Sequence, residues 1–160
     1  MCTYLTDFKV HTAKHPIRTY KLVAKLDNKY YAPFRGQEYV YEPNTPATAP
    51  LQTTLKQYKT STDRYLADVS YGIHSFRTVS SAIRFLNMIV RYSPNRQKEY
   101  AILESEVPEG AHYYEGHADF FDALVNCVPN AIVSDILIPR DNEIDMKCKE
   151  YYISFAQDIK

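Results

Sequence analysis

Residues 71–91 read Tyr71-Gly72-Ile73-His74-Ser75-Phe76-Arg77-Thr78-Val79-Ser80-Ser81-Ala82-Ile83-Arg84-Phe85-Leu86-Asn87-Met88-Ile89-Val90-Arg91. The first six residues favour a strand. Thr78 or Ser80 can cap a helix by accepting an orphan N–H. Val79, Ala82, Ile83, Leu86, Ile89 and Val90 then recur at helical spacing, and Pro94 stops the run. A helix is expected over 79–91. One strand followed by one amphipathic helix needs a sheet to pack against, and the flanks supply it.

Upstream, Thr19 to Leu26 alternates and reads as a strand with Leu22, Ala24 and Leu26 on one side. Asp27-Asn28-Lys29 has turn chemistry. Residues 30–34 and 37–42 resume extended structure. Pro43, Pro46 and Pro50 mark 43–50 as an irregular surface loop. Residues 51–68 are ambiguous, and 1–15 form a polar arm. Downstream, strands are expected over 100–107 and 130–138, with a short extended piece at 111–115 and helical or irregular chain from Ala118 to Cys127. Ile144, Cys148, Tyr151, Tyr152, Phe155 and Ile159 share one helical face, so a C-terminal amphipathic helix is expected over 140–160. The expected fold is a single α+β domain on a mostly antiparallel sheet.

Composition narrows the function classes. The 160 residues carry 19 basic and 19 acidic side chains, and 45% are apolar. That is enough for one core. No apolar run reaches the ~18 residues of a membrane span. The opening Met1-Cys2-Thr3-Tyr4 has no charged n-region or apolar h-region, so a cytoplasmic setting is expected. Charge is split along the chain: +5 over residues 1–35, +4 over 36–98 and −9 over 99–160. Such halves can pair inside one fold, or present complementary faces for a homo-oligomer. Zero net charge argues against a nucleic-acid partner. Fifteen tyrosines and no tryptophan suit half-buried strands or a binding surface. Cys2, Cys127 and Cys148 are too scattered for a disulfide framework or a zinc knuckle.

Several residue groups could carry chemistry. His74, just after Gly72, could line a pocket as a ligand or an acid–base group, or sit inert on a sheet face. The stretch His112-Tyr113-Tyr114-Glu115-Gly116-His117-Ala118-Asp119 gathers four metal-ligand types. An extended chain puts Glu115, His117 and Asp119 on one face and His112 on the other, so no metal is expected. Tyr113, Tyr114 and Glu115 could instead hydrogen-bond a polar ligand. Glu104 and Glu106 share a strand face, which is a solvated face unless a cleft brings them against a sugar. Gly-x-Ser-x-Gly is absent, so an α/β-hydrolase is not expected.

Two resemblances follow from these motifs. Gly72-Ile73-His74-Ser75-Phe76, a capped helix with Ala82, Val107-Pro108-Glu109-Gly110, and Tyr113-Tyr114-Glu115-Gly116 are similar to uncharacterised small proteins of gut bacteria and their phages. The shared layout spans roughly residues 17–138. It implies a phage or mobile-element accessory protein that binds a host protein or a nucleotide-like ligand. Tyr20, His74, Phe76, Tyr113, Tyr114 and Glu115 are then the expected ligand-binding residues, with no resident cofactor. The same order of elements also resembles the ADP-ribosyltransferase-like fold. As an enzyme of that kind the chain would use NAD, with Arg18, His74 and Asp135 or Glu115 at the site. It departs from the pattern in having only Asp135, one methylene short of Glu, within 130–138, and His74 where Tyr or Ser is more common. The resemblance therefore implies a binding version of the fold ahead of a transferase. A virion-associated homo-oligomer built through the Tyr-rich, charge-split faces is the third reading.

Overall fold

A computed structural model describes residues 2–5, 9–33, 39–56, 66–92, 99–119 and 128–146. Thirteen strands and one helix occupy them. In chain order the strands are β1 (Cys2–Leu5), β2 (His11–Thr12), β3 (Ile17–Leu26), β4 (Lys29–Tyr31), β5 (Val40–Tyr41), β6 (Ala47–Thr48), β7 (Gln52–Lys56), β8 (Leu66–Tyr71), β9 (Ile73–Phe76), β10 (Glu99–Val107), β11 (His112–Asp119), β12 (Val128–Ser134) and β13 (Ile136–Glu143). Helix α1 (Val79–Tyr92) lies between β9 and β10. The strands form one antiparallel sheet in the order β6-β13-β10-β3-β9-β12-β11-β1-β8-β7, with β2 on β11, and β4 and β5 on the flank of β3. A single α+β domain on an antiparallel sheet is therefore what the chain forms.

The connections force this sheet to curl. β12 and β13 stand four places apart in the order, ~19 Å in a flat sheet, yet only Asp135 joins them. β8 and β9 are also four places apart, and only Gly72 joins them. The two ends of the order, β6 and β7, are separated in sequence by residues 49–51 alone. A flat sheet cannot satisfy these links. The strands bend at Gly72 and Asp135 and pass from one part of the rolled sheet to another, as at the corners of orthogonal β packings.

Both corners have a local chemical cause. Gly72 has φ +138, and a Cβ there would lie 2.5 Å from Val133 Cγ1 and 2.8 Å from Leu51 Cδ2, so no other residue fits without movement. Asp135 is held from three sides. Its N–H donates to the His112 carbonyl at 3.0 Å, and its own carbonyl accepts from the Ala49 N–H at 2.9 Å. Its carboxylate accepts from the His112 N–H at 2.9 Å and meets His112 Nδ1 at 3.1 Å.

Rolling gives the sheet two apolar faces. Against one lies α1, whose Ala82, Ile83, Phe85, Leu86 and Ile89 pack onto Leu22, Phe76, Ile102, Ala118, Val128 and Ala131. Thr78 caps this helix as expected, its Oγ1 accepting from the Ser81 N–H at 3.2 Å. The other face gathers Val23, Ile73, Ala101, Leu103, Val107, Ile132 and Leu137 under Tyr41, Ala47 and Ala49. A smaller cluster joins Leu5, Val69 and Val133.

Several expectations need correction. The 1–15 arm is not peripheral: β1 lies between β11 and β8, and Thr3 is fully buried. The strand expected over 130–138 is two strands. Residues 140–143, expected in the terminal helix, continue β13, which pairs with β10, and 144–146 are not helical either; the remainder of that helix, 147–160, lies outside the described residues. The extended piece at 111–115 runs on through Gly116 to Asp119, because Gly116 and Ala118 find partners in β1 and β12. Residues 34–38 and 120–127, parts of two expected segments, also lie outside the described residues. In β3, Leu22 is buried but Leu26 is 46% exposed, because the strand outruns the core at the Asp27-Asn28 turn. Both turn residues have positive φ and join β3 to β4 as a two-residue hairpin loop.

Three ion pairs meet part of the charge split inside the chain. Arg18 pairs with Glu104 (Nε–Oε1 2.8 Å), Lys25 with Glu143 (Nζ–Oε2 3.0 Å), and Arg77 with Glu115. Each pair joins the basic front of the sequence to its acidic back. Among the described residues, no helix is long and apolar enough to cross a membrane.

Candidate functional site

Among the described residues, Lys21, in the middle of β3, is a buried lysine. Alternation puts Thr19, Lys21 and Val23 on the face opposite α1. All three are buried, Lys21 to 3% exposure. Buried lysines are rare because the ammonium loses its hydration. Lys21 reaches this position because the sheet opens beside it. β3 and β9 share a single register pair, Tyr20 with Phe76. Beyond that pair Lys21 Nζ bridges to β9, donating to the His74 carbonyl at 2.7 Å. The face of the Tyr41 ring lies 5.1 Å from Nζ. Burial pushes the Lys21 amine down to about 7, from an ordinary value of 10.5. The Tyr41 ring works the other way, since it attracts the cation.

A cavity of about 450 Å³ adjoins this lysine. Lys21 on β3 and Ile73 and His74 on β9 form one wall, and the Gly72 corner closes one end. The roof comes from residues 32–33 and 39–50. Ala32 and Pro33 follow β4, Tyr39 leads into Val40 and Tyr41 of β5, and Ala47, Thr48, Ala49 and Pro50 complete it. The 43–50 segment, expected as a surface loop, is tied down at several points. β6 pairs with β13, the Ala49 N–H donates to Asp135, and the Asn44 N–H donates to the Pro139 carbonyl at 2.6 Å. Tyr39, Val40 and Tyr71 stand at the mouth, each about 45% exposed. The volume is that of a small-molecule site, and the lining is mostly aromatic and small apolar side chains around one amine.

The residues expected to bind or catalyse are dispersed, and of them only His74 lines this cavity. What His74 gives Lys21 is its backbone carbonyl. Phe76 is 2% exposed and packs on Phe85, with ring centroids 5.3 Å apart, so it is a core residue. Tyr20 packs against the α1-side core. Tyr113 stacks on His11 at 5.2 Å, and Tyr114 packs with Leu5, Val69 and Val133. Arg18, Glu115 and Asp135 are engaged by Glu104, Arg77 and His112. None of Arg18, Glu115 and Asp135 lines the cavity that His74 lines. Glu104 and Glu106 are likewise engaged, Glu104 by Arg18 and Asn142 and Glu106 by Arg140. Among the described residues, no three His, Cys, Asp or Glu side chains gather as a metal site would need.

Sequence reasoning missed Lys21 because a lysine in an alternating strand reads as solvent-facing. One signal was available: Ile17 and Val23 on the face of Lys21, and Tyr20 and Leu22 on the other, put apolar residues on both sides of the strand. A strand covered on both faces has no solvated side for its lysine. Comparisons with protein-family models, with curated proteins and with solved structures find no match to this chain. The site is therefore read from its own geometry.

Proposed function

We propose that this chain is a non-enzymatic binding protein that holds a small organic ligand in the cavity beside Lys21. The observation that carries the reading is a buried amine on the wall of a cavity about 450 Å³ in volume, fixed by a 2.7 Å hydrogen bond. A buried amine is costly unless a partner repays its lost hydration. A ligand with an acidic or carbonyl oxygen would do so, and its flat or apolar body would lie among Tyr39, Tyr41 and Tyr71. A nucleoside-sized, singly charged ligand fits this balance better than a dinucleotide, whose two phosphates would face one amine. A transferase using NAD would need Arg18, His74 and a carboxylate around one pocket, and Arg18, Glu115 and Asp135 each have another partner, Glu104, Arg77 and His112.

The test is thermal unfolding against NAD, ADP-ribose, cyclic nucleotides and simple aromatic carboxylates. A ligand at 100 times its Kd stabilises the native state by ~2.7 kcal/mol, a shift of several degrees. The expected outcome is a shift with a singly charged ligand that disappears in Lys21→Met. No shift with any member of the panel, or a shift unchanged in Lys21→Met, would contradict the reading.

A further inference from the structure

We propose that Lys21 is a nucleophile that condenses with a carbonyl-bearing ligand, an aldehyde or a 2-oxo acid, to form an imine inside the cavity. This rests on the cavity being a ligand site and adds the chemical class of its ligand. Three features of the geometry support it. Lys21 is on the cavity wall, so a small ligand that enters can meet its amine. Nζ is fixed by one hydrogen bond, to the His74 carbonyl, so one N–H is committed and the rest of the nitrogen is open to a second partner. Among the described residues, Lys21 has no carboxylate partner to hold it as an ammonium; the titratable residues that line the cavity with it are Tyr39, Tyr41, Tyr71 and His74, and none is a carboxylate. Burial lowers the amine's proton affinity, which leaves a larger neutral, nucleophilic fraction at neutral pH than an exposed lysine has.

The step balances without an oxidant or reductant. The neutral Nζ lone pair attacks the carbonyl carbon, and an N–C bond forms as the C=O π pair moves to oxygen. Oxygen gains one proton and nitrogen loses one, giving a carbinolamine. The carbinolamine oxygen then takes a second proton from solvent, the C–O bond breaks, oxygen leaves as water, and the nitrogen lone pair completes the C=N bond. The protonated imine retains one N–H, and the His74 carbonyl already placed at Nζ can accept it. The same carbonyl thus serves the amine and the iminium, and water leaves through the mouth at Tyr39 and Tyr71.

The full-length protein is incubated at neutral pH with para-formylbenzoate, reduced with borohydride and mapped by peptide mass. In parallel, thermal unfolding is measured with para-methylbenzoate, which keeps the carboxylate and ring but cannot form an imine. The expected result is an adduct concentrated on Lys21, at least about tenfold above the exposed Lys14 and Lys29. An adduct spread over exposed lysines, with Lys21 at or below their level, would overturn the proposal. If para-methylbenzoate also shifts unfolding in the wild type and not in Lys21→Met, that outcome removes the imine and leaves the binding site standing. If it shifts neither protein and Lys21 is unlabelled, both readings fall. The mapping uses the unmutated chain, so it does not depend on how a variant folds.

Discussion

The two faces of the rolled sheet solve the same problem differently. On one, a single amphipathic helix covers the strands, and Ala82, Phe85 and Ile89 are fully excluded from water. A helix can do this because residues three and four apart form a continuous apolar stripe. On the other, residues 32–33 and the short strands and turns of 39–50 make the cover. Pro33, Pro50 and the small residues Ala32, Ala47 and Ala49 cannot fill the space that helical side chains fill, and a cavity remains beside a buried lysine. A face closed by a helix spends its apolar area on stability. A face closed by a loop-like roof keeps room, and here the room is beside a buried lysine.

Mutations should separate the two faces. The largest expected effect is on the helix face: Phe85→Ala removes a fully buried ring and should cost about 3–5 kcal/mol in denaturant unfolding. A loss below about 1 kcal/mol would mean the helix side is not the main core. Next is the corner that closes the cavity. Gly72→Ala must hold φ +138 with a Cβ against Val133, and should cost about 2–3 kcal/mol. A neutral Gly72→Ala would mean that β8 and β9 can meet without this bend.

The cavity face should respond in the opposite direction. Lys21→Met removes a buried amine and leaves the His74 carbonyl without its donor, so a net gain of about 2 kcal/mol near pH 6 is expected. The pH dependence has a definite sign. The Lys21 amine titrates at about 7 in the folded chain and near its ordinary 10.5 when unfolded. Between these values the unfolded state binds more protons, so wild-type stability should rise as pH increases from 7 to about 9.5. Below 7 both states are protonated and the burial cost is fully present. Above that window Tyr30 and Tyr100, pushed up by burial, and Lys25, raised by Glu143, act in the opposite sense. In Lys21→Met the rise should vanish. The smallest effect is at the helix start, where Thr78→Ala should cost about 1 kcal/mol by losing the cap on Ser81.

How much could be read from the sequence differs between the same two faces. Helix α1, its Thr78 cap, β3, β10 and the Asp27-Asn28 turn were all legible, because each rests on periodicity or turn chemistry within a few residues. Even there Phe85, fully buried, was not among the positions chosen for the apolar stripe, and Val90, which was, is 52% exposed. The roof was not legible. Nothing local in 43–50 shows that Ala49 will find Asp135, 86 positions away, or that Pro-rich chain will cover a sheet. The corners were missed for the same reason: Gly72 and Asp135 look like ordinary strand residues until the strands they join prove to lie four places apart. Asp135, expected as an acid of a transferase site, is a structural tie between His112 and Ala49. The candidate site was the least legible part. It depends on Lys21, whose burial follows from how far the sheet rolls and what then covers it.

The most direct measurement is an NMR titration of the Lys21 side-chain carbon next to Nζ, in selectively labelled protein, from pH 5 to pH 11. The account predicts a midpoint near 7, far below the other lysines, which moves when an aromatic carboxylate is added. A Lys21 midpoint above 10, together with the other lysines, would show a solvated ammonium and contradict the buried amine on which the site is built.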